Sequence, residues 1–315
     1  MLAPVIVFAY NRKDHLMQVL HALEDSDLSD QTCLYVFSDG PKSEDNAEAV
    51  QEVRDFLQQY QEKSGFQEVR IIEALNNKGL AKSIIEGVGE VVNKYGKAIV
   101  VEDDAVVAPF FLKYMNGALD FYVDRKEVFS VGALSVPMTL PKWYDFDVIK
   151  TQRVTSMCWA TWKDRWDIID WSMPDYKKFR FNIKKRKQFN QWGFDRSNML
   201  DDQMNARINS WAIRFDYYMW KSGKYNIIPR KTFVNNCGFD GSGTHFNEKR
   251  YVKDTSQAFN SLMWYDCESI HFQEVPCLED IRLEYIKHYG TSRILNYKRF
   301  LGNVWYSLKY RKVDG

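Results

Sequence analysis

The sequence predicts an α/β fold: a mostly parallel sheet flanked by helices. Three observations carry this. Short, continuous apolar runs alternate with segments of helical period over residues 1–130. Each run ends in a polar turn, as buried parallel strands do. The chain has 315 residues and is 45% hydrophobic, enough to bury a sheet on both faces without disulfide staples.

The elements follow in order. Residues 4–9 form a first strand. Residues 12–23 place Leu16, Val19, Leu20 and Leu23 at helical spacing. Residues 32–37 form a second strand, closed by the turn signal Ser38-Asp39-Gly40-Pro41. Residues 47–60 are helical, 69–72 a third strand, and 80–92 a helix preceded by Asn76-Asn77-Lys78-Gly79. Residues 98–101 form a fourth strand and 109–123 a further helix. Such a βαβα rhythm implies ligand binding beyond the carboxyl ends of the strands. Asn11, Arg12, Asp39 and Glu102-Asp103-Asp104 all fall at those ends. After about residue 130 the rhythm is lost, and aromatic, acidic and basic residues crowd 143–220. No Gly/Ser linker marks a boundary. We therefore expect two halves of one domain, 1–130 and 131–290, and a tail at 291–315.

Composition narrows the function classes. Forty-three basic and 42 acidic residues leave a net charge of +1, so no global attraction to nucleic acid is expected. The five cysteines are scattered and form no CxxC pair, which fits reduced thiols rather than a zinc ribbon. No apolar run is long enough to span a bilayer, and residues 1–8 read as a strand rather than a signal segment. The expected location is cytoplasmic, peripheral on the inner face of the membrane.

The stretch Ile99-Val100-Val101-Glu102-Asp103-Asp104 carries the most chemistry. Three adjacent carboxylates repel one another. A hard divalent ion, Mn²⁺ or Mg²⁺, bridging a nucleotide diphosphate would neutralise them. The alternative is a solvated acidic turn favoured by the positive end of the next helix. No GxxxxGK[ST] or GxGxxG offers a glycine cradle for phosphate instead.

Residues 98–111 resemble the strand, EDD motif and helix of N-acetylglucosaminyltransferase I and its bacterial relatives. The blocks at 4–12 (PVIVFAYNR), 37–42 (FSDGPK) and 77–88 (NKGLAKSIIEGV) are similar to the same family, in the same order. These are inverting nucleotide-sugar glycosyltransferases, and EDD is their form of the DxD motif. The resemblance implies a GT-A (Rossmann-like) fold with an acceptor-side extension and a basic C-terminal helix. It implies that Asp104 ligates the metal, and that Asp103 and Glu102 hold the ribose and donor sugar or the metal's waters. Asp39 would accept from the nucleotide base. Asn11 and Arg12 would line the base and ribose pocket. Lys82 would face the diphosphate, or else be a solvated helix lysine.

In the second half, residues 159–166 resemble a Trp-rich family block. Trp159 and Trp162 would stack on acceptor sugar rings, or form a buried helix stripe. Residues 238–245 resemble another block, in which Asp240 would touch the acceptor and His245 would join the metal, or make ordinary loop hydrogen bonds. Inverting transfer needs a general base for the acceptor hydroxyl. The family's Asp falls here near Asn209-Ser210-Trp211, where neither Asn nor Ser serves well. Asp202 is the first substitute and Asp195 the second, on a GFD…ED-like spacing.

Two basic segments remain. Residues 177–187 (KKFRFNIKKRK) are amphipathic as a strand and would meet an anionic acceptor or lipid head groups, or form a solvated helix. Residues 292–312 have six cations, no acid and apolar residues at helical spacing. They read as an interfacial helix on an anionic membrane, or as a helix packed on the core. The reading is a metal-dependent glycosyltransferase for surface polysaccharide, with a UDP-sugar (UDP-GlcNAc first) as donor and a glycan or polyprenyl-linked acceptor. The alternatives are a sugar-phosphate nucleotidyltransferase and a non-catalytic GT-A-like sugar- or membrane-binding protein.

Overall fold

The computed structural model describes residues 1–240 and 263–288. The predicted alternation is present: β1 (Val5–Ala9), α1 (Lys13–Glu24), β2 (Cys33–Ser38), α2 (Ala47–Lys63), β3 (Glu68–Glu73), α3 (Leu80–Tyr95) and β4 (Lys97–Glu102). Then come β5 (Ala105–Val107), α4 (Phe111–Phe121), β6 (Val128–Gly132), β7 (Val148–Thr151) and β8 (Cys158–Trp162). Short helices follow: α5 (Lys163–Trp166), α6 (Tyr176–Phe179) and α7 (Ile183–Phe189). The remaining elements are α8 (Arg196–Met204), α9 (Trp211–Lys221), β9 (Tyr225–Pro229), β10 (Val234–Asn236) and α10 (Glu279–His288).

One eight-stranded sheet runs through both halves, in the order β3-β2-β1-β4-β8-β6-β9-β7. The first four strands of that order are parallel. β8 enters antiparallel between β4 and β6. β9 runs parallel to β6, and β7 runs antiparallel to β9. This is the mostly parallel, helix-flanked α/β sheet that the sequence predicts.

Alternation along the strands divides the core in two, because successive side chains point to opposite faces. Val5 and Val7 of β1 join Ile99 and Val101 of β4 on the face covered by α1, α2 and α4. Ile6, Phe8 and Val100 pack with Ile84, Val88 and Phe215 on the face covered by α3 and α9. Burying both faces explains why these strands read as unbroken apolar runs.

The chain moves from β1 outward to β2 and β3, then returns to the other side of β1 as β4. The strand order therefore reverses between β1 and β4. In open α/β sheets the crevice at the carboxyl ends of such a pair is where ligands bind. Arg12 leaves β1 and Glu102-Asp103-Asp104 leave β4 at that crevice.

Residues 177–187 take the helical alternative rather than the strand. They lie in α6, α7 and the turn between them. Phe179 is buried, whereas Phe181 and Ile183 are exposed, so the three do not share one face. Residues 291–315 lie outside the described residues. Among the described residues no helix is long and apolar enough to cross a membrane.

The rim of the crevice is closely built. A Cβ added at Gly40 would lie 2.6 Å from the carbonyl carbon of Asn76, so the loops after β2 and β3 touch backbone to backbone. Gly40→Ala is expected to cost about 1–3 kcal/mol of stability by overpacking. Denaturant unfolding checks this, and an unchanged midpoint would show that the loops can separate freely.

Candidate functional site at the carboxyl ends of β1 and β4

β4 delivers its three acids into a half-enclosed position. Asp103 is buried, and the side chain of Asp104 is 13% exposed. Arg12, which immediately precedes α1, reaches across the crevice. Its Nε donates to Asp103 Oδ2 at 3.4 Å and its Nη2 pairs with Asp103 Oδ1. The same Nη2 lies 3.1 Å from Asp104 Oδ2. Among the described residues, the buried Asp104 Oδ1 has no hydrogen-bond partner.

The electrostatics follow from burial and crowding. Burial pushes the Glu102 carboxyl up to about 8, and the charges of Asp104 and Asp103 push the same way against the pull of Arg12. Burial also raises Asp103, with Arg12 opposing. One guanidinium thus stands against three acids.

A two-stranded ribbon covers this point. β10 pairs antiparallel with β5, setting Asn236 opposite Ala105. The ribbon continues into a 3-10 turn, Cys237–Asp240, whose Cys237 N–H donates to the Asp104 carbonyl at 2.9 Å. A Cβ on Gly238 would lie 2.6 Å from Asp104 Oδ2. Only a glycine lets this backbone rest on the carboxylate. The glycine-rich run at 238–245 was the sequence signal for a loop here, although its contact with Asp104 was not foreseen. Asp240 ends that turn. Its side chain, and all of His245, lie outside the described residues.

An orphaned, buried carboxylate oxygen suits a hard cation. Magnesium-type ions take one or two protein carboxylates and draw their remaining ligands from phosphate and water. Among the described residues no group of three or more His, Cys, Asp or Glu side chains could hold a metal.

Asp39 does different work from that expected. Its Oδ1 accepts from the backbone N–H of Gly40 at 2.9 Å and of Lys78 at 2.8 Å. Its Oδ2 accepts from the Gly79 N–H at 2.9 Å and from Asn77 Nδ2 at 3.1 Å. A carboxylate offers about four acceptor sites. Three of them fasten the 76–79 loop and the fourth takes the N–H of the adjacent Gly40, so Asp39 is a clamp rather than a partner for a nucleotide base. Gly79 has φ 76°, a left-handed turn that aims its N–H at Asp39 and opens α3. Arg54 reinforces the same corner, donating to the Ala74 carbonyl at 2.7 Å. Nothing in the sequence pointed to Arg54.

Asn11 is half-buried in the bend after β1. Lys82 lies in the first turn of α3, is 61% exposed, and sits 3.7 Å from Glu86, an acid that also pairs with Lys78.

Trp159 and Trp162 are corrected. Both lie in strand β8 and are buried, so neither can stack on an acceptor sugar nor belong to a helix stripe. Trp159 stacks on Trp211 with centroids 4.6 Å apart, joining β8 to α9. Trp162 faces the other core and donates its indole N–H to the Leu119 carbonyl at 3.1 Å.

Both expected bases are held by arginines. Arg153 grips both oxygens of Asp195, at 2.8 and 2.9 Å. Burial raises the Asp195 carboxyl, but the charge and hydrogen bonds of Arg153 outweigh it and leave the group below the usual range. Asp202 is buried and accepts from Arg207 Nε at 2.8 Å. Two further pairs, Arg186–Asp201 and Arg196–Asp216, tie α8 to α7 and α9. Acids held this way secure a polar helix, and the lowered value of Asp195 makes that carboxylate a poor proton acceptor. Ser210, at the position where the resemblance places an Asp base, caps α9 by accepting from the Ile213 N–H at 3.3 Å.

Two predictions follow from these placements. Trp159→Ala should remove about 3–5 kcal/mol of stability, as expected for a buried aromatic; a stable variant with only weakened acceptor binding would restore the sugar-stacking role. The second concerns Glu102. Its folded value lies above its usual 4.5, so the folded state holds its proton longer than the unfolded chain. Stability is then lost as pH rises from about 4.5 and the loss is complete above about 8. Glu102→Gln should gain on the parent protein across that window and keep a constant advantage above it, read as melting temperature against pH. A gap that does not change with pH would contradict it.

No protein-family model matches the chain, and no curated protein matches it in sequence. Among solved structures it is similar to S. aureus TarS at 13% identity and TM-score 0.32, over 49% of this chain and 25% of that one. TarS 1-349 in complex with UDP-GlcNAc matches at 11% identity and TM-score 0.41, over 100% of this chain and 75% of that one. The Pyrobaculum calidifontis mannosyltransferase PcManGT, in complex with GDP-Man and Mn²⁺, matches at 15% identity and TM-score 0.34, over 51% and 44% of the two chains. UDP-glucose pyrophosphorylase complexed with UDP-glucose matches at 11% identity and TM-score 0.41, over 83% and 99%. The matched region thus spans a quarter of TarS and under half of the mannosyltransferase.

Proposed function

We propose that the protein is a metal-dependent glycosyltransferase that moves a sugar from a nucleotide diphosphate to a hydroxyl with inversion. UDP-GlcNAc is the first donor to test, and a glycan or polyprenyl-linked sugar in surface polysaccharide synthesis is the acceptor class. One observation carries the reading. Asp104 Oδ1 is buried and unpartnered at the crevice where the strand order reverses, beside Glu102, Asp103 and Arg12.

In this reading Asp104 holds Mn²⁺ or Mg²⁺, and His245 joins it from the loop that starts at Gly238. A bound divalent ion supplies Lewis-acid stabilisation to a leaving diphosphate. Asp103 and Glu102 orient the ribose and donor sugar by accepting from hydroxyls. Asn11 lines the base side of the crevice. The 76–79 loop, fastened by Asp39, fixes where α3 begins and so shapes the wall opposite the acids. Gly238 and Cys237 hold the covering ribbon against Asp104.

A second reading has its own support. The capping role of Ser210 at the expected base position favours a non-catalytic protein that binds a nucleotide sugar without turnover.

Calorimetric titration of UDP-GlcNAc, with Mn²⁺ and with EDTA, separates these ideas. The parent protein should bind only with metal, and Asp104→Ala should lose at least about 100-fold in affinity, more than loss of an outer residue costs. UDP release with acceptor present would favour the transferase, and binding without release the second reading. No binding of any nucleotide sugar to the parent protein would sink both.

A further inference from the structure

We infer that Arg12 is an internal counter-ion that stands in for the divalent cation. It holds Asp103 and Asp104 together across the crevice and leaves Asp104 only when cation and diphosphate arrive together. The inference rests on the reading of this crevice as a donor site and adds an order of binding to it.

The geometry gives Arg12 two partners at once. Its fork lies along Asp103 through Nε and Nη2, and Nη2 also reaches Asp104 Oδ2 at 3.1 Å. Asp104 is therefore half used: Oδ2 faces the guanidinium, and Oδ1 is buried with no partner. A cation placed on Oδ1 shares one carboxylate with a fixed positive charge a few bonds away. A guanidinium does not lose its proton in proteins, so Arg12 can relieve that repulsion only by moving.

It has the means to move. Its side chain is 23% exposed, against 13% for each of the acids it bridges, so it forms the solvent side of the cluster. It stands just outside α1, with non-helical φ −115° and ψ 74°, and its own side chain caps nothing there. Among the described residues its ion pairs are those with Asp103 and Asp104. Leaving for water forfeits a two-pronged, partly buried pairing, which is costly unless a new partner replaces it. A diphosphate is such a partner, because Arg pairs phosphate with the same fork that pairs carboxylate. Bare cation thus meets competition at Asp104, whereas cation with nucleotide supplies the anion that takes Arg12 away.

The test compares the parent protein with Arg12→Gln, which keeps hydrogen-bonding capacity and removes the charge. Binding of Mn²⁺ alone is followed by loss of the free-ion paramagnetic resonance signal, then repeated with UDP. Arg12→Gln should bind Mn²⁺ alone about tenfold tighter than the parent protein, within the usual range of coupling between sites, and should bind Mn²⁺ with UDP more weakly than the parent protein. Adding Asp104→Asn to Arg12→Gln should erase the gain, placing it at that carboxylate. If Arg12→Gln does not fold, Arg12→Lys carries the test: it keeps the charge but cannot span two carboxylates, so a gain of about threefold is expected. Mn²⁺ affinity that is unchanged or weaker in the folded variant overturns the inference. Tighter Mn²⁺ in Arg12→Gln, with no UDP binding by either protein, would uphold the counter-ion and defeat the donor-site reading.

Discussion

Three carboxylates at the end of a buried strand are the constraint on which the rest of this molecule depends. β4 is buried on both faces, and its pairing with β1 and β8 leaves it no freedom to turn the acids outward. Glu102 lies opposite Phe8 in the β1 register. The chain answers this crowding by local means. Arg12 is brought from the neighbouring strand, Glu102 tends to keep its proton, and a ribbon with a glycine at its tip covers the far side. Each answer uses an element that begins where a parallel strand ends. The topology therefore sets the place of the chemistry before any single residue sets its kind.

Around that centre the fold uses its other ionic groups as fasteners. Asp39 spends its acceptors on the loop before α3. The arginine–aspartate pairs around α8 let a helix with few apolar residues sit in a buried place. Replacing such pairs by well-packed apolar residues often does no harm to stability, whereas breaking one leaves a buried charge unpaired. They are better understood as fixing one arrangement of α7, α8 and α9 than as a store of stability.

The first half was legible because its physics is local. A strand buried on both faces must be a continuous apolar run, and the helices between such strands show their period within a few turns. The segments at 4–9 and 98–101 were therefore located to within a residue or two, and the rim they build was foreseen with Arg12 and the EDD acids on it. The second half resisted because its determinants are distant. Trp159 and Trp162 are three residues apart, a spacing equally open to a helix, and only pairing with β4 shows that they lie on opposite faces of a strand. The clamp at Asp39 was hidden because its partners lie 38 to 40 residues further along the chain. Asp195 looked free because Arg153, its partner, precedes it by 42 residues. Spacing shows which groups exist, but not which of them are already satisfied.

The position of β8 has a consequence for how the molecule can be divided. The four parallel strands look like a unit that might exist alone, ending at β4. Yet the open side of β4 is closed only by β8, through five residue pairs from Lys97–Trp162 to Val101–Cys158. Without it, an apolar strand would present a row of bare peptide groups, the arrangement that templates aggregation between chains. The parallel half thus has no finished edge of its own. In the folded chain the second half supplies it, so the two halves are parts of one sheet and not two modules that could be exchanged.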